Sequence, residues 1–120
     1  MNLTIDISRV DNATILTLAG ELDAYTSLEL RETVVRLVEE GVRSLIVNLS
    51  KVDFIDSVGL GTLVGCLKRS AEHGGTMRLV GLNPQIQKVF DITGLSKIFD
   101  IHTTNEEALK HVTPAAAGNS

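Results

Sequence analysis

A strand that passes directly into a helix through one short polar turn is the feature that most constrains the fold of this chain. The apolar run Leu45–Leu49 predicts a buried strand, and the apolar-periodic segment Leu60–Ala71 predicts a helix. Between them lies Asp53–Gly61 (DFIDSVGLG), in which Asp56 and Ser57 stand where the helix is expected to begin. A buried strand feeding a helix in this way is typical of a layered α/β domain.

Ser57 has two interpretations at this position. It can be the N-cap of the helix, with its hydroxyl accepting a bond from an orphan backbone N–H. It can also be a phosphate acceptor, since the positive end of a helix dipole tolerates an anion. The spacing of the residues leaves both interpretations open.

The chain before this turn predicts an N-terminal β-hairpin. Leu3–Ile7 alternates apolar and polar residues, and Ile15–Ala19 resumes as a second strand after a short turn. Capping-box patterns starting at Thr26 and Thr104 mark two further helix starts. The complete order is β-β-α-β-α-β-α-(β)-α, so we expect an α/β fold with a mixed sheet of four to five strands and about four helices.

Composition excludes several function classes. A net charge of −4 with scattered basic residues disfavours nucleic-acid binding, and no apolar run has the roughly 18 residues of a membrane span. The single Cys66 forms no internal disulfide, and no Cys/His cluster predicts a metal site. We expect a cytoplasmic protein without cofactor or metal, folded as one domain over residues 1–112 and followed by a disordered tail at 113–120.

Polar residues gather at one predicted edge of the sheet. If the second and third strands run parallel, their C-terminal ends lie on the same edge, where open α/β sheets place their sites. The residues brought together there would be Glu21, Asp23, Asp53, Asp56, Ser57 and Asn83. Any function proposed for the chain therefore has to account for one serine beside several carboxylates at this edge of the sheet.

Serine hydrolysis is the first enzymatic explanation, and the sequence disfavours it. A nucleophile elbow needs Gly-x-Ser-x-Gly, whereas Ile55 stands two residues before Ser57. The histidines His73, His102 and His111 all come late in the chain, where we expect solvated surface residues. We therefore predict no catalytic residues.

Two phosphate-related explanations also fail. The pattern GLGTLVG at 59–65 lies at the start of the helix itself, without the preceding glycine loop of a dinucleotide site. A phosphoacceptor receiver domain would use Asp53, but it needs an acidic pair after its first strand, where this chain has Asn12-Ala13. The lysine that such a domain needs at a strand end is also missing, since Lys110 falls in the last helix.

Small residues line one side of the central helix. Ser57, Gly61 and Gly65 are spaced by four, away from the apolar stripe that we expect to face the core at Leu60, Leu63, Val64, Leu67 and Ala71. Glycine inside a helix costs about 1 kcal/mol relative to alanine, so two of them require a reason. Either a neighbouring loop packs tightly here, or the stripe is a docking groove that begins at the serine.

At this point the sequence resembles a known family. The motifs Gly20–Asp23 (GELD), Phe54–Gly61 (FIDSVGLG) and Pro84–Leu95 (PQIQKVFDITGL) are similar to those of the STAS domains of bacterial anti-sigma-factor antagonists. The resemblance covers roughly residues 3 to 112 and implies the STAS fold.

The resemblance also implies a partner-switching function. In that family a serine is phosphorylated by the anti-sigma factor, an ATP-dependent serine kinase, and Ser57 occupies the acceptor position. The unphosphorylated antagonist binds the anti-sigma factor and frees the sigma factor, phosphate abolishes binding, and a phosphoserine phosphatase acts as the opposing partner. Many relatives carry Ser or Thr where this chain has Val58. The expected partner-binding residues are Asp23, Asp56, Ser57, Gly59, Gly61 and Gly65. The alternative is a structural subunit of a transport or stress-sensing assembly without phosphorylation.

Overall fold

The backbone of residues 2–112, described by a computed structural model, folds around one five-stranded mixed sheet, as the sequence predicts. The tail predicted at 113–120 lies outside the described residues. The strands are β1 (Leu3–Val10), β2 (Ala13–Leu22), β3 (Ser44–Ile55), β4 (Thr76–Val80) and β5 (Asp100–His102).

The strands lie in the sheet in the same order as in the chain, β1-β2-β3-β4-β5. The first pair is antiparallel, which confirms the predicted N-terminal hairpin. The remaining three pairs are parallel, so each of these connections crosses over through a helix. The C-terminal ends of β2 to β5 therefore point to one edge of the sheet.

The described part of the chain contains four helices, as predicted: α1 (Ser27–Glu39), α2 (Ser57–Glu72), α3 (Pro84–Thr93) and α4 (Asn105–Leu109). A single 3₁₀ turn follows α3. None of the helices within residues 2–112 combines the length and the apolar character that crossing a membrane would need.

The sheet separates two hydrophobic cores of unequal size. The larger core joins the sheet to α1, α2 and α3, and its fully buried side chains include Leu16, Leu30, Leu63 and Phe90. The smaller one lies under α4 and contains Ala13, Ile15, Ile46, Val80 and Ala108. The alternation of side chains along each strand assigns them to opposite faces, which is why the two sets do not mix.

The end of β2 is irregular just where it approaches the turn before α2. Its pairing with β3 shifts register between Gly20 and Glu21, and Gly20 has a φ of 118°, a conformation that glycine adopts without strain. The register then resumes so that Leu22 lies opposite Ile55 at the end of β3. Consequently the two segments that lead into α1 and α2 leave the sheet side by side.

The two predicted capping boxes have different outcomes. The one at Thr26 is wrong, because the Thr26 hydroxyl makes no cap bond and instead accepts the N–H of Asp23 at 2.9 Å. At α4, Thr104 does accept the N–H of Glu107 at 3.1 Å, while the Glu107 carboxylate bonds Lys110 instead of returning to the cap. The turn before α1 thus uses its threonine to stabilise the turn itself.

Candidate functional site

Helix α2 begins at Ser57, but its N-cap is Asp56. The backbone of Asp56 is extended, and its Oδ1 accepts the N–H of Gly59 at 2.9 Å. This geometry is the usual one for an aspartate cap. The interpretation of Ser57 as the N-cap is therefore wrong, because the preceding carboxylate already occupies that role.

The Ser57 side chain is left exposed as the first residue of α2. Within residues 2–112 its hydroxyl makes no hydrogen bond to a side chain or to the backbone. A hydroxyl at this position faces solvent beside the positive end of the helix dipole. The arrangement therefore offers a modifiable oxygen that has no structural task in the fold.

Asp56 also ties the start of α2 to the turn before α1. Its second carboxylate oxygen, Oδ2, accepts the N–H of Ala24 at 3.1 Å, and its own N–H donates to the carbonyl of Leu22 at 3.2 Å. Asp56 therefore fixes the position of the β2–α1 turn relative to Ser57.

Asp23 lies inside that turn and is only 5% exposed. Its Oδ1 accepts the backbone N–H groups of Tyr25 and Thr26 at 2.9 and 3.0 Å, and the Thr26 hydroxyl at 3.2 Å. Desolvation raises the pKa of Asp23, but the hydrogen bonds from Thr26 and Tyr25 outweigh it, so the pKa is lowered. Asp23 is therefore an ionised, hydrogen-bonded carboxylate that holds the shape of the loop, and little of its surface is exposed.

Glu21 and Asn83, which were also predicted at this edge, are both half-buried. The Oε1 of Glu21 has no hydrogen-bond partner among the described residues. Asn83 caps α3 by accepting the N–H of Ile86 at 2.8 Å, and its Nδ2 donates to the carbonyl of Val52 at 3.3 Å. Among the acidic residues predicted at this edge, Asp53 alone is exposed within the part of the chain that is described.

Four exposed apolar side chains around Ser57 were not predicted from the sequence. Tyr25 is 87% exposed, Leu28 is 55% exposed, and Phe54 and Val58 are each 48% exposed. Phe54 lies at the end of β3, Tyr25 lies in the turn between β2 and α1, and Leu28 and Val58 lie in the first turns of α1 and α2, so all four follow the C-terminal ends of parallel strands at the same edge. The signal available beforehand was Tyr25, the only tyrosine of the chain, standing in a polar turn. Such a group of apolar side chains is typical of a protein-binding surface.

The glycines of α2 separate into two kinds. Gly59 is buried, and a Cβ on it would overlap the carbonyl oxygen of Leu22. This contradicts the expectation that Gly59 contacts a partner, because its face is pressed against β2. Gly61 and Gly65 are exposed, and nothing within residues 2–112 lies within 4 Å of the Cβ that either would carry. The alternative of tight packing against a neighbouring loop is therefore excluded for these two within the described chain.

The core-facing stripe of α2 is also shifted from the predicted one. The buried residues are Gly59, Leu63, Cys66 and Ser70, whereas Leu60, Val64 and Leu67 are half-buried and Ala71 is exposed. Burial raises the pKa of the Cys66 thiol to about 11, against the opposing effect of Arg31 and Arg69. Cys66 is thus a protonated core residue at neutral pH.

The histidines lie elsewhere, but one of them is not a solvated surface residue. His102 on β5 is half-buried, and its ring stacks against His111 after α4 with centroids 5.0 Å apart. Burial lowers the pKa of His102, and the neighbouring His111 and Arg78 lower it further. No group of three or more metal-ligating side chains occurs within residues 2–112.

Comparison of the sequence with known proteins finds a matching family and similar proteins. The STAS domain family model matches residues 4–108. An anti-sigma-B factor antagonist of Bacillus subtilis is 39% identical over 106 residues, which cover 88% of this chain and 96% of that protein.

Solved structures give the same result for the fold. A putative anti-sigma factor antagonist from Thermotoga maritima superimposes with a TM-score of 0.85 at 30% identity, over 90% of this chain and 93% of that one. The Bacillus cell fate determinant SpoIIAA in its phosphorylated form superimposes with a TM-score of 0.73 at 25% identity, over 92% and 100% of the two chains.

Proposed function

The chain belongs to the STAS domain family, and on that premise we propose that it is an anti-sigma-factor antagonist switched by phosphorylation of Ser57. Its unphosphorylated form binds an anti-sigma factor and so frees the sigma factor. The anti-sigma factor is also the ATP-dependent serine kinase that modifies Ser57, and a phosphoserine phosphatase reverses the modification. The antagonist itself performs no catalysis.

The observation that carries the proposal is the Ser57 hydroxyl. It is exposed at the first position of α2 and makes no hydrogen bond to the described chain, because Asp56 has taken the cap. Ser27 supplies an internal contrast, since it is also the first residue of a helix yet is only 4% exposed. A kinase can reach the first hydroxyl and cannot reach the second without unfolding α1.

The surroundings of Ser57 explain how one phosphate would control binding. The exposed apolar residues Tyr25, Phe54 and Val58 provide contact area for a partner when the serine is unmodified. A phosphate adds about −1.5 to −2 charges at neutral pH. Burying that charge against apolar side chains, next to the carboxylates of Asp53 and Asp56, is unfavourable for the complex. Binding is therefore lost while the fold is retained.

The fold tolerates the phosphate for the same reason that it tolerates Asp56. Backbone N–H groups in the first turn of α2 and the helix dipole favour negative charge at this end. The expected structural change on modification is small. The switch acts on the surface, through charge, and does not require a rearranged core.

Mapping the phosphorylation site tests the proposal directly. We expect incubation with the cognate anti-sigma factor and ATP to add one phosphate, located at Ser57 by mass spectrometry. Ser57→Ala should abolish the modification, whereas Ser27→Ala should retain it. A phosphate that persists in Ser57→Ala, or capture of a permease or large sensor assembly instead of a kinase, would contradict the proposal.

The phosphomimetic variant separates binding from stability. We expect Ser57→Asp to weaken binding to the anti-sigma factor by about tenfold or more, which corresponds to about 1.4 kcal/mol. Its free energy of unfolding should change by less than about 0.5 kcal/mol, because the side chain is exposed. Calorimetric titration and urea unfolding measure the two quantities. Equal affinity of the two proteins, or an unfolded variant, would count against a switch confined to the surface.

A further inference from the structure

Helices α1 and α2 leave an open groove between them on the outside of the larger core. Its volume is about 670 Å³. The buried Val34 and Cys66 contribute to its lining, as do Gly61 and Gly65 of α2. The groove extends to Val58, the residue next to Ser57, so it is continuous with the surface around the proposed phosphorylation site.

The charges at this groove oppose the charge of the whole protein. Three cationic side chains line it, Arg31, Lys68 and Arg69, against the single carboxylate of Glu72. None of the three cations forms a salt bridge within residues 2–112, although the chain as a whole carries a net charge of −4.

Helix dipoles explain only part of this arrangement. Lys68 and Arg69 lie towards the C-terminal end of α2, where a cation interacts favourably with the dipole. Arg31 is the fifth residue of α1, beyond the first turn, so the dipole of that helix does not account for a cation there. Arg31 is therefore a cation on the groove that has no salt-bridge partner within the described chain.

The glycines that line the groove also indicate a binding surface. Gly61 and Gly65 each weaken α2 by about 1 kcal/mol relative to alanine. Neither is required by packing within the described chain, since the space where a Cβ would stand is empty. Their absent side chains leave α2 open to the close approach of another backbone.

We infer that the α1–α2 groove binds an acidic segment of the anti-sigma factor. The segment's backbone lies against Gly61 and Gly65, and its carboxylates meet Arg31 and Arg69. Charge complementarity favours an acidic occupant, and it disfavours a symmetric contact between two copies of the chain, because that contact would bring two cationic grooves together. The inference rests on the proposed function and adds a contact that does not involve the Ser57 hydroxyl.

Charge reversal in the full chain tests the electrostatic part. We expect the double variant Arg31→Glu/Arg69→Glu to bind the cognate anti-sigma factor at least tenfold more weakly than wild type and with a smaller dependence on salt concentration. The matched control is Lys51→Glu/Lys88→Glu, which changes the net charge equally at exposed residues outside the groove. The control should change affinity less than threefold.

Filling the groove tests the steric part. Gly65→Leu places a good helix former into open space, so we expect the fold to be retained and binding to fall at least tenfold. Circular dichroism and urea unfolding confirm that the variant is folded. A folded Gly65→Leu that binds with wild-type affinity would overturn the inference.

The outcomes distinguish this inference from the function on which it rests. If Ser57→Asp loses binding while both groove variants bind like wild type, the groove proposal is overturned and the switch stands. If wild type does not bind the anti-sigma factor, the proposed function fails first. If wild type self-associates in sedimentation and only the groove variants become monomeric, with unchanged affinity for the anti-sigma factor, the occupant is a second copy and the inference is overturned.

Discussion

The two sides of α2 use the same kind of residue for opposite purposes. On the inner side, Gly59 lets the helix approach the carbonyl of Leu22 so closely that a methyl group would not fit. On the outer side, Gly61 and Gly65 face empty space, and no part of the described chain uses the room that they leave. Gly59 is required by the packing of α2 against β2. Gly61 and Gly65 weaken the helix, and no contact within the described chain requires them.

This difference shows that a glycine is best interpreted by what its missing Cβ would touch. All three residues have the same intrinsic helix propensity, and they stand within seven positions of the sequence, at 59–65. Only their surroundings distinguish the glycine that is constrained by packing from the two that face open space. Substitutions at these positions measure how far the two sides of α2 differ.

Gly59→Ala is expected to have the largest effect. The new methyl group would meet the backbone of β2, which cannot move aside without disturbing the sheet, and overpacking of this kind costs about 1–3 kcal/mol. We expect a loss of about 3 kcal/mol in the free energy of unfolding, measured by urea denaturation. The matched control Gly61→Ala should instead gain about 0.5–1 kcal/mol through helix propensity. Shifts of the same sign in both variants would remove the distinction between the two sides.

Cys66 marks the boundary between the two sides, since it is buried yet contributes to the lining of the groove. Burial raises the pKa of its thiol from 9.0 to about 11. Between these values the unfolded chain releases a proton that the folded chain retains, so stability is fully present below pH 9.0 and falls as the pH rises to about 11. We expect a loss of about 2–3 kcal/mol over this window.

Urea unfolding at several pH values, for wild type and Cys66→Ala, measures this loss. The variant should lack the part of the pH dependence that belongs to the thiol, because its other titrating groups are unchanged. Identical pH profiles for the two proteins would show that Cys66 ionises as readily as an exposed thiol. The side chain would then belong to the outer, groove-facing side of α2 and not to the core.

Asp56→Ala is expected to have the smallest effect of the three, because it removes hydrogen bonds and creates no overlap. The variant loses the cap of α2 and the bond to Ala24, and an N-cap contributes about 0.5–2 kcal/mol. We expect a loss of about 1–2 kcal/mol in urea unfolding.

Two variants control for charge at this position. Asp56→Asn keeps a capping oxygen and should recover most of the stability. Asp53→Ala removes an exposed carboxylate and should change stability by less than about 0.5 kcal/mol. Equal losses in Asp53→Ala and Asp56→Ala would mean that charge, and not the cap, holds the two loops together.

The fold follows from the sequence because its signals are periodic. The alternation in β1 and the apolar run of β3 each extend over several residues, and the single capping residues Asn83 and Thr104 agree with them on where helices begin. Agreement between levels of this kind is what makes a fold predictable. The resemblance to STAS domains then supplied the arrangement of these elements.

The details of the site were harder to predict because they depend on single contacts. Hydrophobic periodicity cannot reveal that Gly59 and Ser70 lie on the buried side of α2, since glycine and serine carry little hydropathy signal. Likewise, two adjacent polar residues, Asp56 and Ser57, are both good caps, and only the three-dimensional position of the carboxylate decides between them.

The apolar side chains near Ser57 were missed for a related reason. Phe54 and Val58 stand at the ends of elements whose other large apolar residues are buried or half-buried, so the sequence favours burial for them as well. Their exposure becomes visible only when the edge of the sheet is seen to have no cover. Residues that depart from their local pattern in this way are expected at functional or strained sites.

The strand order β1-β2-β3-β4-β5 has a consequence for assembly of the domain during synthesis. Each strand is laid beside the one made just before it, and no strand has to enter between two that are already paired. Loop-closure entropy is therefore kept low for every pairing in the sheet. The proposed switch surface and its groove draw all their residues from the segment Glu21–Glu72, so they are encoded in one uninterrupted stretch that emerges from the ribosome before β4 and β5 do.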